Sequence, residues 1–260
     1  MMNLDEFDYA MRLRGWALFQ GVVDPDLIPR LKADIRAKQE ECRGYQARNG
    51  IAANMEGTAH HVIGSGNSLD EFLTRLYLDS CIRQYFDGPY ILNSFGAAIN
   101  QPAGAGSYVH NVHRDVRTYS HPFRLLLNML VMLDDFTVEN GATRVLSGSH
   151  QIREKPSDDF FQSNAVPLTG KAGSIVLFDS NLWHAAGHNI TDKVRAGLTL
   201  TFSRPFFKQQ MDYPRFLGQQ YAASLSAEML QLLGYNSRVA SSYDEWYQPP
   251  ERRMYKPGQG

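Results

Sequence analysis

The stretch NVHRDVRTYS, Asn111 to Ser120, sets a histidine and an aspartate two residues apart. In an extended chain, residues i and i+2 project from the same face, so His113 and Asp115 can reach a common point. An imidazole and a carboxylate arranged this way are two arms of a chelate for a divalent metal ion. Such pairs also recur by chance, and a strand histidine is commonly a satisfied structural residue, so the pair needs further support.

That support comes from GSIVLFDSNLWHAAGHN, about seventy residues downstream, which reads as a strand that breaks at Asp179 to Asn181 and delivers His184. The bland alternative for His184 is a capped loop histidine. Two histidines and one carboxylate on a β-core match the facial triad of non-haem Fe(II) oxygenases, a ligand set that leaves coordination positions open. Arg195 then opens RAGLTLTF after the polar turn NITDK. An antiparallel return would bring it back toward the triad, where its planar fork could hold a carboxylate in two parallel hydrogen bonds. Otherwise it is a surface arginine at a strand start. Only Cys42 and Cys81 occur, so a cysteine-rich cluster is excluded and any metal falls to histidine and carboxylate.

These side chains need a scaffold. With 260 residues, 43% of them apolar and 12% aromatic, the chain can bury a substantial core. No repeat or Pro/Gly/Ser linker divides it, so one domain is expected over 1–260. The first part, 1–88, reads as a mostly helical flank. DEFDYAMRLRGW has helical apolar spacing, WALFQGVV suggests a short strand, and DPDLIPRLKADIRAKQEEC predicts a helix with Asp24 as cap, Pro25 in the first turn and Leu27, Ile28, Leu31 and Ile35 along one face. From 89 to 207, short apolar runs separated by turn residues replace that pattern: YILNSFGAAIN, LLLNMLVMLDDF, TRVLSGSH, GSIVLFDS and RAGLTLTFSRPF. No helical crossovers lie between them, which predicts a mainly β sandwich or jelly roll with flanking helices. The extension 208–260 is mixed, with a helix at SAEMLQLLGY and loop in PPERRMYKPGQG.

Lys and Arg total 26 against 27 Asp and Glu, a formal charge of -1, with no run of like charge. No nucleic-acid partner is expected. The acidic, amphipathic start lacks the features of a secretory signal, and the longest apolar run, Leu125 to Leu133, is interrupted by Asn128 and too short to span a bilayer. These features predict a cytoplasmic protein with a small-molecule substrate and no membrane partner; none of them sets an oligomeric state.

Taken together, the His-x-Asp of His113 and Asp115, the segment ENGATRVLSGSH (Glu139 to His150), and His184 followed eleven residues later by Arg195 resemble the phytanoyl-CoA dioxygenase family of Fe(II)/2-oxoglutarate-dependent oxygenases. The resemblance covers roughly Phe95 to Pro205. It implies a double-stranded β-helix, a cupin-like jelly roll, in which His113, Asp115 and His184 hold Fe(II) and Arg195 holds the distal carboxylate of 2-oxoglutarate. It also places Thr143 and His110 near the cosubstrate; relatives often carry glutamine at the latter position, so His110 is a departure. Asn128, on a core strand among apolar neighbours, is a further cosubstrate candidate. Dioxygen is the second cosubstrate and succinate and carbon dioxide the coproducts. The presence of Asp115, rather than a small residue that would free a halide site, implies hydroxylation, with desaturation and epoxidation as other outcomes. Within the matched segment, Asn140-Gly141 and Gly148 suit tight turns, and His150 reads as a hydrogen-bonded core histidine.

Substrate candidates are Asn54, His60 and His61 in NMEGTAHHVIG, Tyr108 before the triad, Arg117 beside it and Arg204 after the last strand. Arg114, beside the triad like Arg117, is a further pocket candidate, with a structural role as its alternative because it faces away from Asp115 in an extended chain. Convergence of Arg117, Arg204 and the histidine pair would favour a small polar or anionic substrate. Two other readings are a cupin-like metalloenzyme without a keto-acid cosubstrate, which the spacing of Arg195 opposes, and a non-catalytic β-barrel binding module, which the intact four-residue set opposes.

Overall fold

The computed structural model describes residues 2–51, 55, 57–102 and 108–253. Helix α1 (Leu4–Leu13) starts with a capping box: Asn3 accepts from the Glu6 amide and Glu6 from the Asn3 amide, while Phe7, Ala10 and Met11 are buried. Strand β1 (Trp16–Phe19) follows, then α2 (Leu27–Arg48), whose buried face carries Leu27, Leu31 and Ile35. Its start differs from the sequence expectation. Asp24 and Pro25 lie outside the helix, and Asp24 caps nothing with its side chain; its carbonyl accepts from the Leu27 amide and its carboxylate from the Tyr77 hydroxyl at 3.0 Å. Strand β2 (Thr58–His60), helices α3 (Ser68–Thr74) and α4 (Asp79–Phe86) and strands β3 (Ile91–Asn100) and β4 (Leu126–Met132) come next. After β5 (Arg144–Val145), α5 (Asp158–Asn164) and β6 (Val166–Pro167), the chain forms β7 (Ile175–Asp179), β8 (His184–Ala185) and β9 (Arg195–Ser203). Helices α6 (Tyr213–Ala222), α7 (Ala227–Leu232) and α8 (Tyr243–Trp246) complete it.

The strands make two antiparallel sheets, a large one ordered β1-β7-β4-β9-β3-β2 and a small one ordered β6-β5-β8. Two edge strands of the large sheet, β1 and β2, thus come from the stretch read as helical flank. Period-two alternation assigns the faces of the large sheet. Leu127, Met129 and Val131 of β4, with Ala196, Leu198, Leu200 and Phe202 of β9, join Phe7, Leu31 and Phe72 of the helices in one core. Their neighbours in sequence, Leu130 and Met132, turn the other way and pack with Val145 of β5 and Val176 of β7 in a second core between the sheets. The result is a jelly roll with helices on one outer face and a cavity opening on the other. Asn128, Arg195, Thr199 and Thr201 therefore share the inner face by parity. Among the described residues no helix is long and apolar enough to cross a membrane.

Candidate metal centre

One β-bridge creates the site. The amide of His113 donates to the carbonyl of His184 at 3.0 Å and the amide of His184 to that of His113 at 2.9 Å. Directly opposed residues of an antiparallel pair carry their side chains on one face, and the imidazole centroids stand 4.3 Å apart. Asp115, two residues on, joins them: its Oδ1 lies 3.5 Å from His113 Nε2 and its Oδ2 3.5 Å from His184 Nε2. One ligand atom from each of the three residues lies within 4.8 Å of the others.

Both histidines face that point with the same nitrogen. His113 Nδ1 is 2.7 Å from the carbonyl of Asn111 and His184 Nδ1 is 2.9 Å from that of Leu182. A carbonyl only accepts, so each Nδ1 carries the proton and each Nε2 presents a lone pair to the centre. Phe178 meets His184 edge-on at 5.0 Å and blocks its rotation. Burial pushes the His184 pKa down despite the pull of Asp115, which favours the neutral ligand form. For Asp115, burial works upward but is outweighed by His184, His113 and the Asn128 amide, and the carboxyl is held below its usual range. For His113 burial works downward but is outweighed by Asp115, which holds its pKa above the usual value; once both rings are neutral, two imidazoles and one carboxylate at a single point fit a divalent cation and leave the remaining positions to small molecules. His150 takes no part; it is buried, 5.9 Å from His121 in an edge contact. Its Nδ1 finds no hydrogen-bond partner among the described residues, so that ring nitrogen lacks the bond expected of a core histidine.

The triad lines a cavity of about 510 Å³, and Arg195, His110, Thr143 and Asn128 line it too. Arg195 is 2% exposed. Its guanidinium lies 4.1 Å over the Phe136 ring and one terminal nitrogen donates to the Gly141 carbonyl at 2.7 Å, but Nε finds no acceptor among the described residues. Burial, opposed only by Asp134, lowers its pKa to about 10, so it remains cationic at neutral pH. A buried charged donor without an acceptor costs about 1–3 kcal/mol or more, and a ligand carboxylate in the cavity would remove that cost. Gly141 makes the arrangement possible. It adopts φ +77°, and a Cβ there would stand 2.4 Å from both Asn100 Nδ2 and the Gly187 carbonyl. Gly141→Ala is therefore expected to cost about 1–3 kcal/mol of stability, read by chemical denaturation.

His110 stacks on His188 at 4.8 Å and its Nδ1 lies 3.2 Å from the Ala186 carbonyl; burial lowers its pKa, favouring the neutral ring. The sequence groups Asn128 with the cosubstrate, but both ends of its amide are committed elsewhere: Nδ2 donates to Asp115 Oδ2 at 2.6 Å and Oδ1 accepts from the Thr201 hydroxyl at 2.9 Å.

Of the substrate candidates, His60 and Arg117 line the cavity. His61 and Arg204 do not converge on it. His61 sits at φ 55°, with its ring 6.5 Å from that of His60 and edge-on to Tyr213 at 5.9 Å, and its Nδ1 3.1 Å from the Tyr213 hydroxyl. Arg204 donates to the Arg124 carbonyl at 3.1 Å and lies over Phe123. Asn54 lies outside the described residues, as does the side chain of Tyr108, whose backbone forms a 3-10 turn over Tyr108–His110. Arg114 lies 4.1 Å over Trp183 and donates to the Ile152 carbonyl, although it also reaches the cavity wall. Thr199 and Thr201 line the cavity as well; the alternation Arg195, Gly197, Thr199, Thr201 in RAGLTLTF was the available signal.

Burial, with His60 alongside, pushes His61 down to about 4. An unfolded histidine titrates near about 6.5, so as pH falls the unfolded chain takes up this proton first. The contribution to stability is complete above about 6.5 and erodes as pH drops from there toward about 4. His61→Phe, which keeps the ring contact with Tyr213, is expected to flatten that part of the stability curve in denaturant titrations.

A jelly roll carrying a two-histidine, one-carboxylate group beside a buried arginine defines a class of non-haem metal proteins. The chain belongs to the phytanoyl-CoA dioxygenase (PhyH) family, whose model matches residues 11–197. The Mycobacterium tuberculosis protein Rv1501 is 45% identical over 148 residues, 57% of this chain and 54% of that protein. The dioxygenase FUM3 of Gibberella moniliformis is 29% identical over 154 residues, 56% of this chain and 51% of that protein. The matched region thus spans about half the length of each of these curated relatives. In fold, the chain is similar to SnoN, a non-haem alpha-ketoglutarate-dependent epimerase from nogalamycin biosynthesis, with a TM-score of 0.59 at 17% identity over 77% of this chain and 80% of that one.

Proposed function

We propose that the protein is an Fe(II)- and 2-oxoglutarate-dependent dioxygenase that hydroxylates a small polar or anionic metabolite and releases succinate and carbon dioxide. One observation carries this reading: the ligand triad and the buried, cationic Arg195 line the same cavity. Family membership and the dioxygenase FUM3 among the relatives support it.

His113, Asp115 and His184 would hold the ferrous ion through two Nε2 atoms and a carboxylate oxygen. The ion, when bound, supplies activation of dioxygen coupled to oxidative decarboxylation of the keto acid. The rest falls to the chain. Arg195 pairs with the distal carboxylate of 2-oxoglutarate, fixing which end of the diacid faces the triad. Thr143 and His110 line the same cavity as Arg195. Leu130 and Phe178, apolar side chains of the inner face on the cavity wall, restrict water around the reacting groups. Arg117 and His60, on the same cavity, supply a cation and a polar ring for an oxygen-rich substrate. Asp115 keeps a carboxylate where a halide would otherwise bind, which supports hydroxylation.

The test is a screen of small carboxylates, phosphates and polyols for stimulated succinate release, followed by turnover under ¹⁸O₂. The proposal expects a product heavier by one labelled oxygen atom. A dehydrogenated product without label contradicts hydroxylation, and substrate turnover independent of 2-oxoglutarate contradicts the class.

A further inference from the structure

Asn128 lies in a row that crosses the middle of the large sheet. In the β-ladder it stands opposite Thr201 of β9 on one side and Phe178 of β7 on the other. Opposed residues share a face, and two members of this row meet the site: Phe178, at one end, packs on His184, and Asn128, in the middle, binds Asp115. Asn128 is 3% exposed, so its amide has almost no recourse to water and its partners determine its orientation.

That orientation follows from donor and acceptor chemistry. An ionised carboxylate only accepts, so the Asn128 NH₂ must face Asp115 and its carbonyl must face Thr201. Thr201 must then donate, at 2.9 Å, and its hydroxyl is fixed in turn. A reversed amide would set its carbonyl oxygen against the carboxylate and leave the Thr201 hydroxyl without its acceptor. The bond to Asp115, at 2.6 Å, has the length of a charge-assisted one.

We infer that Asn128, aligned by Thr201, is the positioning residue that orients the Asp115 carboxylate for metal binding, an inference that rests on the metal-centre reading above. The relay enters neither the reaction nor the cosubstrate: it fixes the plane of the one charged ligand. Outer partners of this kind commonly contribute about 10- to 100-fold to metal affinity.

The experiment is anaerobic calorimetric titration of the full-length chain with Co(II), without and then with 2-oxoglutarate, on wild type, Asn128→Leu, Thr201→Val and Thr201→Ser. Leucine keeps the branched skeleton of asparagine, with somewhat more bulk, but removes both hydrogen bonds. Asn128→Leu is expected to weaken Co(II) binding about 10- to 100-fold. Thr201→Val is expected to weaken it about 2- to 10-fold, the range of one neutral hydrogen bond, and Thr201→Ser, which retains the donor, to restore wild-type affinity. At saturating Co(II), 2-oxoglutarate affinity should be unchanged in every variant. Wild-type Co(II) affinity in Asn128→Leu, or weakened 2-oxoglutarate binding with metal binding intact, overturns the inference and returns Asn128 to the cosubstrate. If Asn128→Leu fails to fold by circular dichroism, the valine and serine pair decides alone. Failure of wild type to bind one Co(II) refutes the underlying metal-centre reading instead.

Discussion

Asp115→Ala is expected to abolish turnover and to weaken divalent-metal binding by more than about 100-fold, beyond the upper range for losing a mere outer partner of a metal ligand. The variant removes the only anionic member of the triad, leaving two imidazoles whose rings stand 4.3 Å apart. Two neutral donors lack the charge that draws a hard cation out of water. The fold should survive, because Asp115 is 36% exposed by side chain and lies on the cavity wall rather than in either apolar core. Circular dichroism and a thermal melt check that point. Asp115→Asn refines the argument, since it keeps the volume and loses the charge. Its amide keeps one neutral carbonyl ligand but sets N–H groups where the second carboxylate oxygen stood, so it should lose most of the metal affinity and turnover while remaining at or above alanine. Undiminished turnover in either variant would remove Asp115 from the mechanism.

Arg195→Ala should separate cosubstrate binding from metal binding. Truncating one partner of a buried, hydrogen-bonded charge pair costs about 2–5 kcal/mol, which corresponds to a loss of 2-oxoglutarate affinity of roughly 30-fold to several thousand-fold. Metal affinity should stay within about twofold of wild type, because Arg195 makes none of the hydrogen bonds that orient His113, Asp115 or His184. Lysine is no substitute. Its point charge cannot reproduce a fork that donates to Gly141 while leaving Nε for a second acceptor, nor lie flat over Phe136. Arg195→Lys should therefore remain impaired by at least about tenfold, within the range for one charge-assisted hydrogen bond. Titration of 2-oxoglutarate at saturating metal measures both variants, and an alanine variant with wild-type cosubstrate affinity would exclude Arg195 as the anchor.

The chemistry was more legible in the sequence than the scaffold that assembles it. His113 and Asp115 advertise themselves by period-two spacing, and His184 by the break after an apolar strand. The link between them is one β-bridge, however, and the small sheet consists of two-residue strands. Segments that short carry no periodicity, so nothing in one stretch of sequence announces its partner. The same limit hid β2, of three residues, whereas β1 is legible as a short strand in WALFQGVV and only its place at the edge of the large sheet is not. Asn128 shows a subtler gap: a polar residue in an apolar strand signals a specific task, but which task depends on its register against Thr201 and Phe178, which only the folded ladder reveals. His60 reaches the cavity, and its neighbour His61 misses it for a backbone reason. Neighbouring residues could be assigned to opposite faces only for a regular strand, and the positive φ of His61 ends β2 by turning the second ring toward Tyr213. Arg204 lies next to β9 in sequence, yet it follows the last residue of that strand and its guanidinium is held by the Arg124 carbonyl and the Phe123 ring.

The central claim, that three side chains and one buried guanidinium form a single binding unit for a ferrous ion and a keto diacid, is tested most directly by anaerobic visible spectroscopy. On addition of Fe(II) and 2-oxoglutarate to the wild-type protein, the charge-transfer band of a bidentate keto-acid chelate should appear and saturate at one equivalent of each. It should be absent in His184→Ala and require far higher 2-oxoglutarate in Arg195→Ala. A wild-type protein that binds both components without the band, or a band indifferent to either substitution, would contradict the account.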